Sequence, residues 1–218
     1  MKQEDVFLKK EGDNYFKRNH SVLNDHTYPD PVLYLAKQYG LKAKNILDIG
    51  CSNGSKLSEL IAVTGGKGTG VEPGAKAISD GKKRFPHLTF KRGIVSKLPI
   101  KGKFDIVTLF YVLHWVSREE IFKAIAEIDR VVKDGGYLII GDFDPDFPTK
   151  IKYHHLPSEE VYTYKLDYAR IFEETGLYHA VARNTFTHVQ NTFDADLAAG
   201  NRGVVTLLKK SLEGHFSS

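Results

Sequence analysis

Ten residues, Asn45-Ile46-Leu47-Asp48-Ile49-Gly50-Cys51-Ser52-Asn53-Gly54, constrain this chain more than any other segment. The apolar run 45–49 predicts a short buried strand, and Gly50, Ser52 and Gly54 predict a tight turn that opens a helix. Strand, glycine-rich turn and helix is the way Rossmann-like sheets hold nucleoside cofactors over their strand ends. A dinucleotide fingerprint requires G-x-G-x-x-G, and only Gly50 satisfies it, with Ser52 and Ser55 at the later glycine positions. Asp48 would repel a pyrophosphate but favour a cationic group beside the turn.

The rest of the chain bounds what such a unit belongs to. With 218 residues, the length predicts one domain with modest additions. No run of about 18 apolar residues occurs, so no membrane span is expected. The charged N-terminus lacks the apolar stretch of a signal peptide, and the lone cysteine, Cys51, cannot form an internal disulfide. Both point to a reducing cytoplasm. Cys51 is read as a small packing residue in the turn, with a reactive thiol as the alternative. The net charge of +4 is mild and the lysines are scattered, so no nucleic-acid track is expected.

Residues 45–143 alternate apolar strands and amphipathic helices, the pattern of a parallel α/β sheet. Strands are expected at 45–49, 67–71, 88–91, 105–109 and 137–141, the last entered by a tight turn at Asp134-Gly135-Gly136. Helices are expected near 56–63, through residue 84, and at 118–132. Residues 1–44 read as a helical cap with helices at 3–19 and 31–39. After residue 143 come a proline-containing loop, a helix near 159–175 and two β-like segments, 179–190 and 203–212, suited to an antiparallel hairpin at the sheet edge.

The first segment resembles the opening motif of class I S-adenosylmethionine-dependent methyltransferases, [D/E]-x-G-x-G-x-G, with serine at the middle glycine. Gly70-Val71-Glu72-Pro73 resembles their second motif, and Leu109-Phe110-Tyr111-Val112-Leu113-His114-Trp115 their fourth. The resemblance implies a seven-stranded, Rossmann-like α/β sheet, mostly parallel with an antiparallel C-terminal strand and helices on both faces. It implies S-adenosylmethionine as cofactor and S-adenosylhomocysteine as product. Asp48, Gly50, Cys51, Ser52 and Gly54 would then surround the methionine part. Glu72 would accept the ribose hydroxyls, with Pro73 beside it. Where the family carries an aspartate for the adenine amine, in G-D-A-x-x-L-P-F, this chain has Gly93-Ile94-Val95-Ser96-Lys97-Leu98-Pro99-Ile100. Adenine is therefore expected against backbone and apolar groups at Ile94 and Val95, and Phe110 beside the sulfonium. His114 and Trp115 are read as packing at the start of the next helix.

Glu11-Gly12-Asp13-Asn14-Tyr15-Phe16-Lys17-Arg18-Asn19 resembles the opening of methyltransferases of bacterial sugar and surface-polysaccharide gene sets. That likeness implies that Tyr15 covers the transfer centre and Arg18 meets the cofactor carboxylate. Candidate bases follow the fifth strand: Asp142, Asp144 and Asp146, then His154 and His155. The histidine pair is read as acceptor-binding or general-base residues, with an ordinary polar loop and a metal site as alternatives; its spacing fits no closed zinc pattern, and no metal is assigned. Tyr162, Tyr164, Lys165, Asp167 and Tyr168 are expected on one helix, where Tyr164, Asp167 and Tyr168 share a face and Lys165 suits a phosphate.

The expected activity is methyl transfer to oxygen or nitrogen of a small polar acceptor, a sugar or nucleotide-linked sugar being the favoured kind. No membrane partner is expected, and the oligomeric state stays open. Protein or RNA as acceptor is the nearest alternative. An NAD(P)-dependent oxidoreductase and a noncatalytic module of the same fold are the alternatives of another class.

Overall fold

The computed structural model describes residues 2–23, 30–194 and 196–213. Among these, seven strands form one sheet in the order β3-β2-β1-β4-β5-β9-β8. They are β1 (Asn45–Ile49), β2 (Lys67–Glu72), β3 (Thr89–Arg92), β4 (Phe104–Phe110), β5 (Val132–Phe143), β8 (Tyr178–Thr187) and β9 (Arg202–Lys210). β1 to β5 run parallel, and β9 pairs antiparallel with both β5 and β8. The fold class expected from the sequence is the one observed.

Successive side chains of a strand point to opposite faces, so a sheet covered on both sides needs two apolar sets. Leu47, Ile49, Val107, Leu109, Leu138 and Ile140 pack on one face with α6 (Ile121–Val131). Ile46, Ile106, Ile139, Val205 and Leu207 pack on the other with α3 (Pro31–Gln38) and α4 (Ser55–Thr64). α6 presents Ile121, Ala124, Ile128 and Val131 to the sheet, spacings of three and four that make one helical stripe. α3 starts where Asp30 accepts hydrogen bonds from Val32 N (2.9 Å) and Leu33 N (3.0 Å), with Pro31 in the first turn.

The chain winds from β1 outward through β2 (then α5, Ala75–Arg84) to β3, and returns to place β4 on the other side of β1. The order reverses between β1 and β4, where Asp48 lies opposite Thr108. Such a reversal opens a crevice over the carboxyl ends of the strands. An N-terminal helix covers that crevice. It comprises α1 (Gln3–Val6), a π-helical turn (Phe7–Glu11) and α2 (Gly12–Leu23).

Two local expectations are corrected. The fifth strand does not begin after a turn at 134–136; it runs from Val132, with a register shift opposite Phe104–Ile106 that absorbs the glycines as a bulge. Residues 159–175 are not one helix. Tyr162–Lys165 is a strand, β7, paired antiparallel with β6 (Thr149–Lys152), and only Ala169–Glu173 is helical, as α7. The Tyr-Thr-Tyr run favours a pleated surface over a helix. Tyr164, Asp167 and Tyr168 consequently share no helical face. Tyr164 holds its ring 4.3 Å from the Arg118 guanidinium, and Tyr168 donates from its hydroxyl to the Tyr164 carbonyl at 2.5 Å.

Candidate active site

A cavity of about 680 Å³ lies over the β1–β4 crossover, under the N-terminal helix. Its floor is the glycine-rich turn. Gly50 has φ +77°, and a side chain there would press on the Val112 methyl at 2.5 Å, so the turn needs glycine. Ser52 also adopts a positive φ, 50°. Cys51 is buried with its sulfur over Gly70, and burial with the nearby carboxylates of Asp48 and Glu72 pushes its thiol pKa up. That environment keeps the thiol protonated and fits the packing role. Gly54, at φ +81°, opens α4.

Two carboxyl groups face this turn. Asp48 accepts the Thr108 hydroxyl at 2.7 Å, and Glu72 accepts backbone N–H groups from Gly74 (2.8 Å) and Ser52 (3.0 Å). Burial pushes the pKa of each up to about 7. Thr108 and Lys56 oppose the shift at Asp48; the two N–H donors oppose it at Glu72, while the carboxylates of Asp48 and Asp13 add to it. Two acids held at such cost beside a concave surface are the mark of a site built for complementary donors or a cation. The Ser52 hydroxyl is buried in the same turn with no hydrogen-bond partner among the described residues. Together these groups fit a nucleoside that carries ribose hydroxyls, an ammonium and no phosphate.

Pro73, Ile94, Val95, Phe110 and Tyr15 also line the cavity. Phe110 stacks on Phe186 at 5.7 Å and carries the Lys56 ammonium 4.4 Å above its ring. Burial and the Glu72 charge push the Tyr15 hydroxyl pKa up. Several of the residues singled out from the sequence do not line the cavity, Gly54, Arg18, Asp142, His154 and His155 among them. Arg18 is paired with Glu11 and donates to the Tyr153 hydroxyl at 2.7 Å, so it clamps the helix to the loop instead of facing the crevice. Asp142 is buried against His114, taking its Nδ1 at 2.9 Å and its backbone N–H at 3.2 Å. His154 and His155 are exposed on the turn after Tyr153, with their rings against each other, and neither lines the cavity. Asp144 and Asp146 are likewise tied up, by Arg202 at 3.1 and 2.7 Å. Their place after the fifth strand made them candidate bases, but Arg183 and Arg202, distant in sequence, pair with them.

Sequence reasoning missed the polar pair at the acceptor side. His188, on the loop after β8, hydrogen-bonds through Nδ1 to the Tyr111 hydroxyl at 2.9 Å, and both line the cavity. Tyr111 follows β4 with φ +57°, a conformation that costs a non-glycine residue roughly 1–2 kcal/mol and is held by its N–H bond to the Gly141 carbonyl, 2.8 Å. Burial and Lys165 lower the His188 pKa, while burial raises that of Tyr111. His188 belongs to no motif, and Tyr111 lies in the segment that resembles the fourth motif without standing out there; an aromatic directly after the fourth strand was the one available signal. Lys165, expected to meet a phosphate, lies 3.7 Å over the Phe143 ring and outside the cavity lining.

The class defined by the fold is a Rossmann-like α/β domain. Comparison with known proteins narrows it. Residues 46–136 match the family model described as a methyltransferase domain. An uncharacterised methyltransferase of Synechocystis sp. is 29% identical over 113 residues, 51% of this chain and 51% of that protein. Demethylmenaquinone methyltransferase of Renibacterium salmoninarum is 35% identical over 98 residues, covering 38% of this chain and 40% of the relative. The chain spans about half the length of the curated relatives it matches. Among solved structures, the Burkholderia thailandensis 1,6-didemethyltoxoflavin N1-methyltransferase, bound to its substrate and S-adenosylhomocysteine, superposes with TM-score 0.73 at 15% identity, covering 95% and 88% of the two chains. The N-methyltransferase NodS of Bradyrhizobium japonicum, with S-adenosylhomocysteine, gives 0.61 at 15%, covering 91% and 99%. The fold is that of Rossmann-like methyltransferases, and S-adenosylmethionine is the cofactor to which the family and those complexes point.

Proposed function

We propose that this protein is an S-adenosylmethionine-dependent methyltransferase acting on nitrogen or oxygen of a small molecule. The observation that carries the reading is the pair of carboxyls, half-buried Asp48 and buried Glu72, that line a single cavity beside one glycine-rich turn. When bound, the cofactor supplies an electrophilic methyl group on a sulfonium whose departure as a thioether needs no acid. The protein's part is to align and exclude water, and alignment is worth roughly 7–11 kcal/mol. Glu72 holds the ribose hydroxyls, Asp48 attracts the ammonium, and the turn from Gly50 to Gly54 lies against the methionine part. Pro73, Ile94 and Val95 flank the base, and Phe110 and Tyr15 close over the reacting end.

On the acceptor side, His188 is kept neutral by burial and takes the proton from an acidic N–H or O–H. With Nδ1–H donating to the Tyr111 oxygen, Nε2 is the basic atom. The acceptor end is aromatic, lined by Phe16, Tyr34 and Tyr111, which favours a flat ring over a sugar. A nucleotide-linked sugar is disfavoured further because Lys165 does not reach the cavity. Relatives and neighbours include methyltransferases of ring compounds, which supports the same choice.

Calorimetry with S-adenosylhomocysteine and NADH tests the reading. Micromolar binding of the first, weakened about ten- to a hundredfold by Glu72→Gln, is expected, since hydrogen bonds to a charged acceptor contribute about 1.5–3 kcal/mol. Binding of NADH in its place contradicts the assignment.

A further inference from the structure

The cavity includes an apolar slot lined in part by the N-terminal helix. Pro73, Ile94, Val95, Val116, Phe7 and Trp115 line it. The helix is laid across this slot by specific bonds at both ends. At its start the Gln3 amide donates to the carbonyls of Trp115 (2.6 Å) and Tyr162 (2.7 Å) and accepts from Tyr162 N (2.9 Å). Midway, Arg92 donates to the carbonyls of Leu8 and Pro73. Farther on, Gly12 packs its backbone on Gly74, where an added Cβ would sit 2.8 Å from Gly74 N, and Asp13 accepts the Lys76 N–H at 2.8 Å. The helix therefore spans from the segment after β4 to the segment after β2, over the 92–95 stretch.

Glu4 sits on this span. Only 7% of it is exposed. Its Oε1 accepts the Ser117 N–H at 2.7 Å, but Oε2 is buried with no hydrogen-bond partner among the described residues, and Glu4 lines the cavity. A buried carboxylate oxygen left without a donor is costly, and native proteins retain few of them. An apolar lining that holds one bare acceptor suits a flat heteroaromatic ring that bears an exocyclic amine. Ile94, which also lines the cavity, has no polar side-chain group to offer such an amine.

We infer that Glu4 is the purine-reading residue: its free oxygen accepts the 6-amino group of adenine, from the lid instead of from the sheet. This rests on the proposed function, since the ring belongs to the cofactor assigned there. It follows that the lid does more than cover the site. The site discriminates a 6-amino from a 6-oxo purine only when α1 is docked, so closure of the N-terminal helix is coupled to recognition of the base.

The test is equilibrium binding of three ligands to the intact chain: S-adenosylhomocysteine, its 6-oxo analogue S-inosylhomocysteine, and the analogue with unsubstituted purine. Wild-type protein is expected to prefer the adenosyl compound over both others by at least about tenfold, the effect of losing a bond to a charged acceptor. Glu4→Gln keeps an oxygen for Ser117 and presents an amide N–H₂ to the ring, so the preference for adenosyl over inosyl should vanish or reverse. Equal wild-type affinity for the three ligands overturns the inference, and this arm needs no variant to fold. A Glu4→Gln protein that keeps the full wild-type preference overturns it too. In both cases tight binding of S-adenosylhomocysteine would leave the proposed function standing. Failure of wild-type protein to bind any of the three removes the proposed function and the inference together.

Discussion

Replacing Asp48 by Asn should stabilise the ligand-free protein at alkaline pH while weakening cofactor binding. Asn keeps a carbonyl to accept the Thr108 hydroxyl, so the change removes charge with little loss of packing. The Asp48 pKa is raised from 3.8 to about 7, mainly by burial. A raised acid contributes its full stability below the unfolded value and loses it as pH climbs through the folded one. The interval from 3.8 to about 7, at about 1.4 kcal/mol for each pH unit, sets an upper limit of about 4 kcal/mol. Because the carboxyl borders an open cavity, about 2–3 kcal/mol is the expected size. For a chain of this length each kcal/mol moves the melting temperature by about 2–4 °C. Differential scanning fluorimetry from pH 4 to 8.5 should show Asp48→Asn melting roughly 5–10 °C above wild type at pH 8.5, with the gap narrowing as pH falls below about 7 and the two converging near pH 4. Parallel curves, with no convergence at low pH, would refute the claim that this acid is held against its charge.

Two further expectations follow from the same site. S-adenosylhomocysteine affinity should fall as pH drops below about 7, by up to about tenfold per pH unit, because ligand donors favour the ionised acids and binding must then release a proton; pH-independent calorimetric affinity between pH 5.5 and 8 would count against it. His188→Ala should lower kcat roughly a hundredfold with S-adenosylhomocysteine affinity kept within about threefold, whereas His154→Ala and His155→Ala should leave both near wild type. Loss of both quantities together in His188→Ala would mark that residue as structural.

The glycine turn and the two acids of the crevice were legible because their signals are local, whereas Arg18, expected at the cofactor carboxylate, was not. β1, the glycine turn and α4 lie within twenty residues, and Glu72 ends the next strand, so each reads from periodicity and spacing alone. The parallel α/β core followed from the same alternation, while the seven-stranded sheet with its antiparallel strand was implied by the resemblance. The acceptor half was not legible, because its geometry depends on contacts between distant segments. Arg202 draws away Asp144 and Asp146, Glu11 and Tyr153 draw away Arg18, and His114 buries Asp142. No local pattern announces such pairings. For the same reason Glu4 read as one charge of an amphipathic helix; only docking of α1 beside Ser117 strips one of its oxygens of water. The Tyr162–Lys165 strand was misread for a different reason, as its four residues are too few for either period to stand out.

A crystal structure of the protein with S-adenosylhomocysteine measures the crevice directly. Both ribose hydroxyls should lie within hydrogen-bonding distance of the Glu72 carboxylate, and the amino-acid nitrogen on the Asp48 side of the turn. A nucleoside seated away from both acids, or a phosphate found against Asp48 when nucleotides are soaked in, would contradict the account.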